Sequence, residues 1–255
     1  MSVSKSCFLV VMPGEELLDT STHIGKIVDI KSMNWLITTF TSSVGKKFTM
    51  ALTGLFLISF LIVHASINAL IFYNDGGKIF TLGAHFMATN PIIRSIEVIL
   101  IAGLLLHIIQ GLLLWRANRA ARPIRYAVVK HPPQSTWYSR SMTLLGTLIL
   151  LFLIIHTSNF WIPNRTHQFL YDEELPLYEM MIEKFSNPIE VIIYLLGSFS
   201  LFWHLLHGFA SAFQSLGLDH NKYRGLIRFS GNVFAVIICL TFAMMPISIY
   251  LQWIK

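Results

Sequence analysis

The chain has 255 residues, of which 54% are hydrophobic and only 13% charged, with a mean hydropathy of +0.61. A soluble domain carries roughly 25% charged residues, so the ionic groups here are too few to coat a water-facing surface, and a soluble globular reading is nearly excluded. The net charge of +6 would suit nucleic acid only as a folded polar patch. The basic residues instead stand at the ends of long apolar runs, which argues against a nucleic-acid partner. Two distant cysteines, Cys7 and Cys239, and no CxxCH motif exclude a disulfide scaffold, a cysteine zinc site, a cysteine-ligated iron–sulfur cluster and covalent c-type haem.

In chain order, residues 1–32 come first. They are mixed in composition, contain Pro13-Gly14 and lack an uninterrupted apolar run ending in a small-residue cleavage site, so they do not read as a signal peptide. They are an N-terminal extension, either a flexible tail or an over-extended start. A second methionine, Met33, opens a segment that leads smoothly into the first apolar stretch. The membrane domain is then 33–255.

About 20 apolar residues cross ~30 Å of hydrocarbon. Five stretches are long enough: Phe48–Tyr73, Arg94–Trp115, Met142–Ile162, Pro188–Phe213 and Phe229–Trp253. None alternates like a barrel strand, and inside a bilayer each must satisfy its own backbone as a helix. The fold class is all-α, an integral membrane bundle of five transmembrane helices.

The basic residues orient it. Lys26, Lys31, Lys46 and Lys47 precede the first span. Arg116, Arg119, Arg122, Arg125, Lys130 and Arg140 lie between the second and third; Lys222, Arg224 and Arg228 lie between the fourth and fifth. The opposite loops have few basic residues (Lys78, Arg94, Arg165, Lys184), and the longer one is acidic (Asp172, Glu173, Glu174, Glu179, Glu183). The expectation is a multi-pass protein of the bacterial cytoplasmic (inner) membrane, N-terminus cytoplasmic and C-terminus outside.

Ionisable residues inside a span are costly and are functional candidates by default. Five histidines fall there: His64, His107, His156, His204 and His207. Laying the first span on the third with His64 over His156 also matches Met50/Met142, Gly54/Gly146, Phe60/Phe152 and Ser66/Ser158. The second and fourth align with His107 over His204, Asn90-Pro91-Ile92 over Asn187-Pro188-Ile189, and Gly111 over Gly208. This reads as a parallel internal repeat. His207 falls on Gln110, so His204 is the better ligand candidate.

At 1.5 Å per residue, His64 stands ~25 Å beyond Lys47 and His156 ~24 Å beyond Arg140, while His107 and His204 share a level ~14 Å from the cytoplasmic edge. The two levels differ by roughly 10 Å. Two histidines facing each other across a four-helix core are the arrangement that holds haem b by both axial positions, and the matched glycines leave room for a flat macrocycle. The other readings of such histidines are hydrogen bonds to a neighbouring helix or a proton relay. A zinc site would need further ligands at the same level. Ser66 and Ser158 turn ~200° from the ligand face and are expected to bond backbone or a neighbouring helix.

The segments Phe60-Leu61-Ile62-Val63-His64 with Asn68, Ala84-His85-Phe86-Met87, Arg94 with Glu97, His107 with Gly111, and Trp203-His204-Leu205-Leu206-His207-Gly208 resemble the single-chain dihaem cytochrome b subunit of succinate:quinone oxidoreductases, the five-helix succinate dehydrogenases and fumarate reductases. The resemblance covers about residues 33–255. It implies two haem b groups, with metal ligands His64 and His156 on the distal iron and His107 and His204 on the proximal one. It also implies a flavoprotein and an iron–sulfur subunit docked on the cytoplasmic face, and electron exchange with a membrane quinone, often menaquinone. The chain departs from the family in its N-terminal extension and in Phe202, where some dihaem members carry an acidic residue thought to help proton movement.

A quinone pocket at the outer end needs polar groups that exchange protons with water. The candidates are Asn68, His85, Arg94 and Glu97. His85 reads equally as a loop-packing histidine, Arg94 as a propionate partner, and Glu97 as a paired or protonated carboxyl. Lys47, Arg116 and Arg140 read as propionate partners or interfacial anchors. The alternatives to the anchor reading are a dihaem cytochrome b of a formate dehydrogenase or hydrogenase and, from another class, a proton-coupled transporter. No Gly-rich dinucleotide loop is present.

Overall fold

The computed structural model describes Thr38, residues 42–121 and residues 136–254. The extension 1–32, Met33 and the basic residues Lys26, Lys31, Arg122, Arg125 and Lys130 lie outside the described residues. The chain divides into two units, Met1–Gly45 and Lys46–Lys255. In the first, the Gly45 N–H donates to Ser42 Oγ at 3.0 Å.

The described elements are helical throughout. Helix α1 runs Ser43–Ala69 and ends in a 3-10 turn, Leu70–Tyr73. Asn74, at φ 52°, stops it with its N–H on the Ile71 carbonyl, as left-handed helix ends do. Helix α2 is Lys78–Thr89 and α3 is Pro91–Ala120. A single helical turn, α4 (Trp137–Arg140), leads into α5, Met142–His156. A five-residue π turn, Thr157–Trp161, carries the chain into α6, Ile162–Tyr171. Then come α7, Leu177–Phe185, α8, Pro188–Ser215, and α9, Arg224–Tyr250. Five helical runs are long and apolar enough to span a membrane: Ser43–Tyr73, Pro91–Ala120, Met142–Tyr171, Pro188–Ser215 and Arg224–Tyr250. The molecule is an all-α membrane bundle.

Three differences from the sequence reading have local causes. The second span starts at Pro91 because Asn90 caps it, its Oδ1 accepting from the N–H groups of Ile92 (2.9 Å) and Ile93 (3.3 Å). Asn187 does the same for Ile189 at 2.9 Å. The matched Asn-Pro-Ile triplets are therefore helix starts, with a polar cap and a proline at the position that needs no N–H. The third span continues past Ile162 to Tyr171. Pro163 has no N–H to give the carbonyl four residues back, and the chain absorbs this upstream: Ile162 bonds the Thr157 carbonyl in the wider π register. Finally, the loops at the far ends of the first and third spans fold into α2 and α7.

Those two short helices lie at what is here the acidic end, the one carrying Asp75, Glu174 and Glu179; the basic end carries Lys47, Arg116, Arg140 and Arg224. On α7, Tyr178, Met181 and Phe185 recur at helical spacing and are buried with Phe80 of α2, Ile71, Val191, Tyr194, Met245, Ile249 and Ile254. Each side chain fully removed from water contributes about 1.5–3 kcal/mol. Gly77 (φ 78°) lets the chain turn under the Tyr178 ring; a Cβ there would stand 2.3 Å from Tyr178 Cγ. Burial, reinforced by the Asp75 and Glu179 carboxylates, pushes the Tyr178 phenol up.

Backbone contact is closest between α8 and α9 and next between α5 and α8. No span lies backbone to backbone along α1 within the described residues. Its contacts are made by side chains reaching across: Thr53 to His107, Phe56 to Gly103, and His64 to His156 and Phe242.

Candidate functional site: two facing histidine pairs and an outer cavity

Four of the five histidines inside the spans meet in two pairs. The rings of His64 (α1) and His156 (α5) have centroids 5.8 Å apart at 87°. Those of His107 (α3) and His204 (α8) are 6.4 Å apart at 66°. Two imidazoles bonded to opposite sides of one metal ion, at about 2.0–2.1 Å per bond and with each ring centre about 1.1 Å beyond its nitrogen, have centres about 6.3 Å apart. The observed separations bracket that value. Among the described residues no three His, Cys, Asp or Glu side chains converge as a metal site, so the arrangement is one of pairs, not of tetrahedral sites.

The surroundings of the two pairs differ. At the basic-side pair the neighbours are glycines. A Cβ on Gly54 would lie 3.4 Å from His107 Cε1, one on Gly146 3.8 Å from His204 Cε1, and one on Gly208 4.0 Å from His204 Cδ2. Gly54 and Gly146 thus stand beside the histidine of another helix, not beside that of their own, and the two copies of the repeat do this alike. At the acidic-side pair the neighbours are phenylalanines one turn earlier. Phe60 stacks on His64 at 5.2 Å and Phe152 on His156 at 5.6 Å.

Polar partners are unevenly supplied. His107 Nδ1 lies 3.1 Å from Thr53 Oγ1. Asn68 donates to the His64 carbonyl at 2.8 Å and reaches His64 Nδ1 only at 3.5 Å. His156 Nδ1 and His204 Nδ1 are buried with no partner, as are Thr49 Oγ1, Gln110 Oε1 and Trp203 Nε1. A buried polar atom without a partner costs about 1–3 kcal/mol and calls for an explanation. Along their helices Thr49 is one turn from Thr53 and Gln110 one turn from His107, while the Trp203 ring packs on Trp137 at 4.7 Å and Tyr138 at 5.4 Å. His207 stands one turn beyond His204 and has no counterpart histidine. Ser66 and Ser158 bond backbone carbonyls at 2.7 and 2.9 Å.

At the acidic end the four sequence-predicted polar residues separate. His85 and Arg94 line a cavity of about 900 Å³, together with Arg165, Gln168 and Glu174. His85 Nδ1 pairs with Glu174 at 3.0 Å, and Arg94 donates to Gln168 at 3.2 Å. Glu97 is not part of that lining. It accepts from Trp161 Nε1 at 2.5 Å and Arg165 Nε at 2.8 Å, and its second oxygen binds Arg165 Nη2. Asn68 stays on its own helix at the His64 carbonyl. Lys47, Arg116 and Arg140 are exposed at the basic end.

Two features escaped sequence reasoning. Arg165 looked like a loop residue because Pro163 looked like an end, yet it is the partner of Glu97. And Asn159, in the π turn, donates to Glu190 (3.2 Å) and Tyr194 (3.4 Å), while the Tyr194 ring lies 5.8 Å from His156. The signal available was Glu190 and Tyr194 four apart in an apolar run. No protein-family model, curated protein or solved structure matches this chain.

Proposed function

We propose that the chain is a dihaem cytochrome b, the membrane-anchor subunit of a succinate:quinone oxidoreductase. The observation that carries the haem part is the meeting of four intramembrane histidines in two pairs, 5.8 and 6.4 Å between ring centroids, on four different spans. Orphaned polar atoms within the pairs support it: His156 Nδ1 and His204 Nδ1 are buried without a partner. The succinate part rests on the motif resemblance.

In this reading His64 and His156 hold one haem iron and His107 and His204 the other. Bound there, haem would supply a one-electron carrier at each of the two levels. The chain's own residues do the rest. Gly54, Gly146 and Gly208 keep side chains away from the basic-side rings, and Phe60 and Phe152 fix the ring planes of the acidic-side pair. The apolar spans exclude water between the two levels. At the acidic end the quinone is the substrate: His85 and Arg94 offer donors to its carbonyl oxygens, and the Glu174 carboxylate, 3.0 Å from His85, is the exchange partner for a proton. Glu97 and Arg165 brace the cavity wall. The iron–sulfur and flavoprotein subunits dock at the basic end, which faces the bacterial cytoplasm.

Reduced-minus-oxidised spectra of the purified protein test this directly. Two b-type haems per chain are expected, reducible by succinate when the soluble subunits co-purify, and His107→Ala should remove one of them. A colourless protein would overturn the haem assignment. Co-purification with a formate- or hydrogen-oxidising subunit would overturn the succinate assignment alone.

A further inference from the structure

The two partners in the basic-side histidine pair are not equivalent, and the difference traces to one side chain on α1. Thr53 is buried. Its hydroxyl lies 2.8 Å from the Thr49 carbonyl and 3.2 Å from the Met50 carbonyl, both acceptors only. A hydroxyl has one hydrogen, and in a helix that hydrogen commonly goes back to the preceding turn. Committed there, Thr53 Oγ1 meets His107 Nδ1, 3.1 Å away, with a lone pair. It therefore accepts, which assigns the proton to His107 Nδ1; the Met50 carbonyl is a further backbone acceptor for the His107 ring. In the neutral ring that leaves Nε2 as the nitrogen with a free lone pair.

The repeat supplies an internal control. Gly54 stands to His107 as Gly146 stands to His204, so the counterpart of Thr53 is the residue before Gly146, Leu145. It is also buried, but it has no polar atom, and His204 Nδ1 is left without a partner. Asn68 does not do for His64 what Thr53 does for His107. One of its two amide hydrogens goes to the His64 carbonyl at 2.8 Å, and the other can only be offered to Nδ1, from 3.5 Å, too long for a firm bond and never an acceptor for an Nδ1–H.

We propose that Thr53 is the positioning residue of the basic-side pair, locking His107 in its Nδ1–H form so that Nε2 is presented as the ligand, while His204 is held by packing alone. The proposal rests on the dihaem reading and deepens it. An acceptor on the far ring nitrogen fixes the ring and raises its basicity as a ligand; losing such a partner costs 10–100-fold in metal affinity. A more basic ligand favours ferric over ferrous iron, so Thr53 lowers the potential of one haem only.

The test compares the wild type with Thr53→Val, Thr53→Ser and Leu145→Thr. Haem content, haem dissociation and potentiometric titration are measured on the purified protein. Thr53→Val, near in shape but without the oxygen, should loosen one haem 10–100-fold and raise its potential, the other being unmoved. The affected haem should be the one that His107→Ala removes. Thr53→Ser should restore the wild-type values, and Leu145→Thr should lower the potential of that same haem. Unchanged potentials and dissociation rates in Thr53→Val overturn the proposal while leaving the dihaem reading intact. If the wild type holds no haem the reading fails, and nitrogen NMR of the His107 ring still decides the rest: a protonated Nδ1 that is lost in Thr53→Val supports the lock, and a protonated Nε2 in the wild type overturns it.

Discussion

Single glycines in this chain hold positions that no other residue fills. Gly77 combines φ 78° with the Tyr178 ring directly above it, and a side chain in left-handed backbone costs about 1–2 kcal/mol before any clash. Gly77→Ala should therefore lower the thermal unfolding midpoint in detergent, whereas Gly225→Ala, at a site with open space around it, should not. Gly197 is a second such position. A Cβ there would stand 2.5 Å from the Phe152 ring, the ring that stacks on His156. Gly197→Ala should push Phe152 and disturb the acidic-side pair, read, under the dihaem proposal, as a changed spectrum or potential of one haem with the basic-side haem unaltered. The histidines were legible at this scale because an ionisable side chain inside an apolar run has no cheap explanation. The glycine contacts were not legible, because sequence spacing along one helix does not say which neighbour a small residue faces.

At the scale of the element, the third span carries the most information. Its π turn shifts everything beyond it by about one residue, or ~100° of rotation, and so decides that Trp161 and Arg165 face Glu97. The pair is only about one-fifth exposed on each side, and coupling between contacting charged side chains runs at 0.5–3 kcal/mol. A double-mutant cycle of Glu97→Gln and Arg165→Gln should give about 1–3 kcal/mol of coupling on that scale. In a Pro163→Ala background the turn is free to tighten to α register, and the coupling should fall toward zero; an undiminished value would separate the turn from the pair. The five spans were legible because length and apolarity decide them. The π turn and the two capping helices were not, because a proline inside a span and an amphipathic loop segment both look like interruptions when tertiary contacts are out of sight.

For the molecule as a whole, charge is segregated by end, and the proposed topology follows from it. Cysteines introduced at Glu173 and at Arg119 should label oppositely with a membrane-impermeant thiol reagent in intact cells, Glu173→Cys from outside and Arg119→Cys only after lysis. The reverse pattern would invert the proposed docking face and with it the proposed direction of electron entry. The repeat was legible as matched letters. The structure splits those matches into two kinds: Asn90 and Asn187 recur as helix caps, while Gly54 and Gly146 recur because each stands against a histidine of another helix.

The separation of α1 from its neighbours bears on how such a protein is made. Four spans settle against one another by backbone packing, most closely α8 against α9, but among the described residues α1 meets the other spans through side chains, two of them on histidines. Under the dihaem proposal its final seat depends on what those histidines grip. Maturation is then expected to have a checkpoint: in cells unable to make haem, α1 should stay open to proteolysis between the described Lys46 and Lys47 while the rest of the bundle survives, and supplying haem should close that window. Cofactor loading would act as the last step of assembly, and the first helix as its reporter.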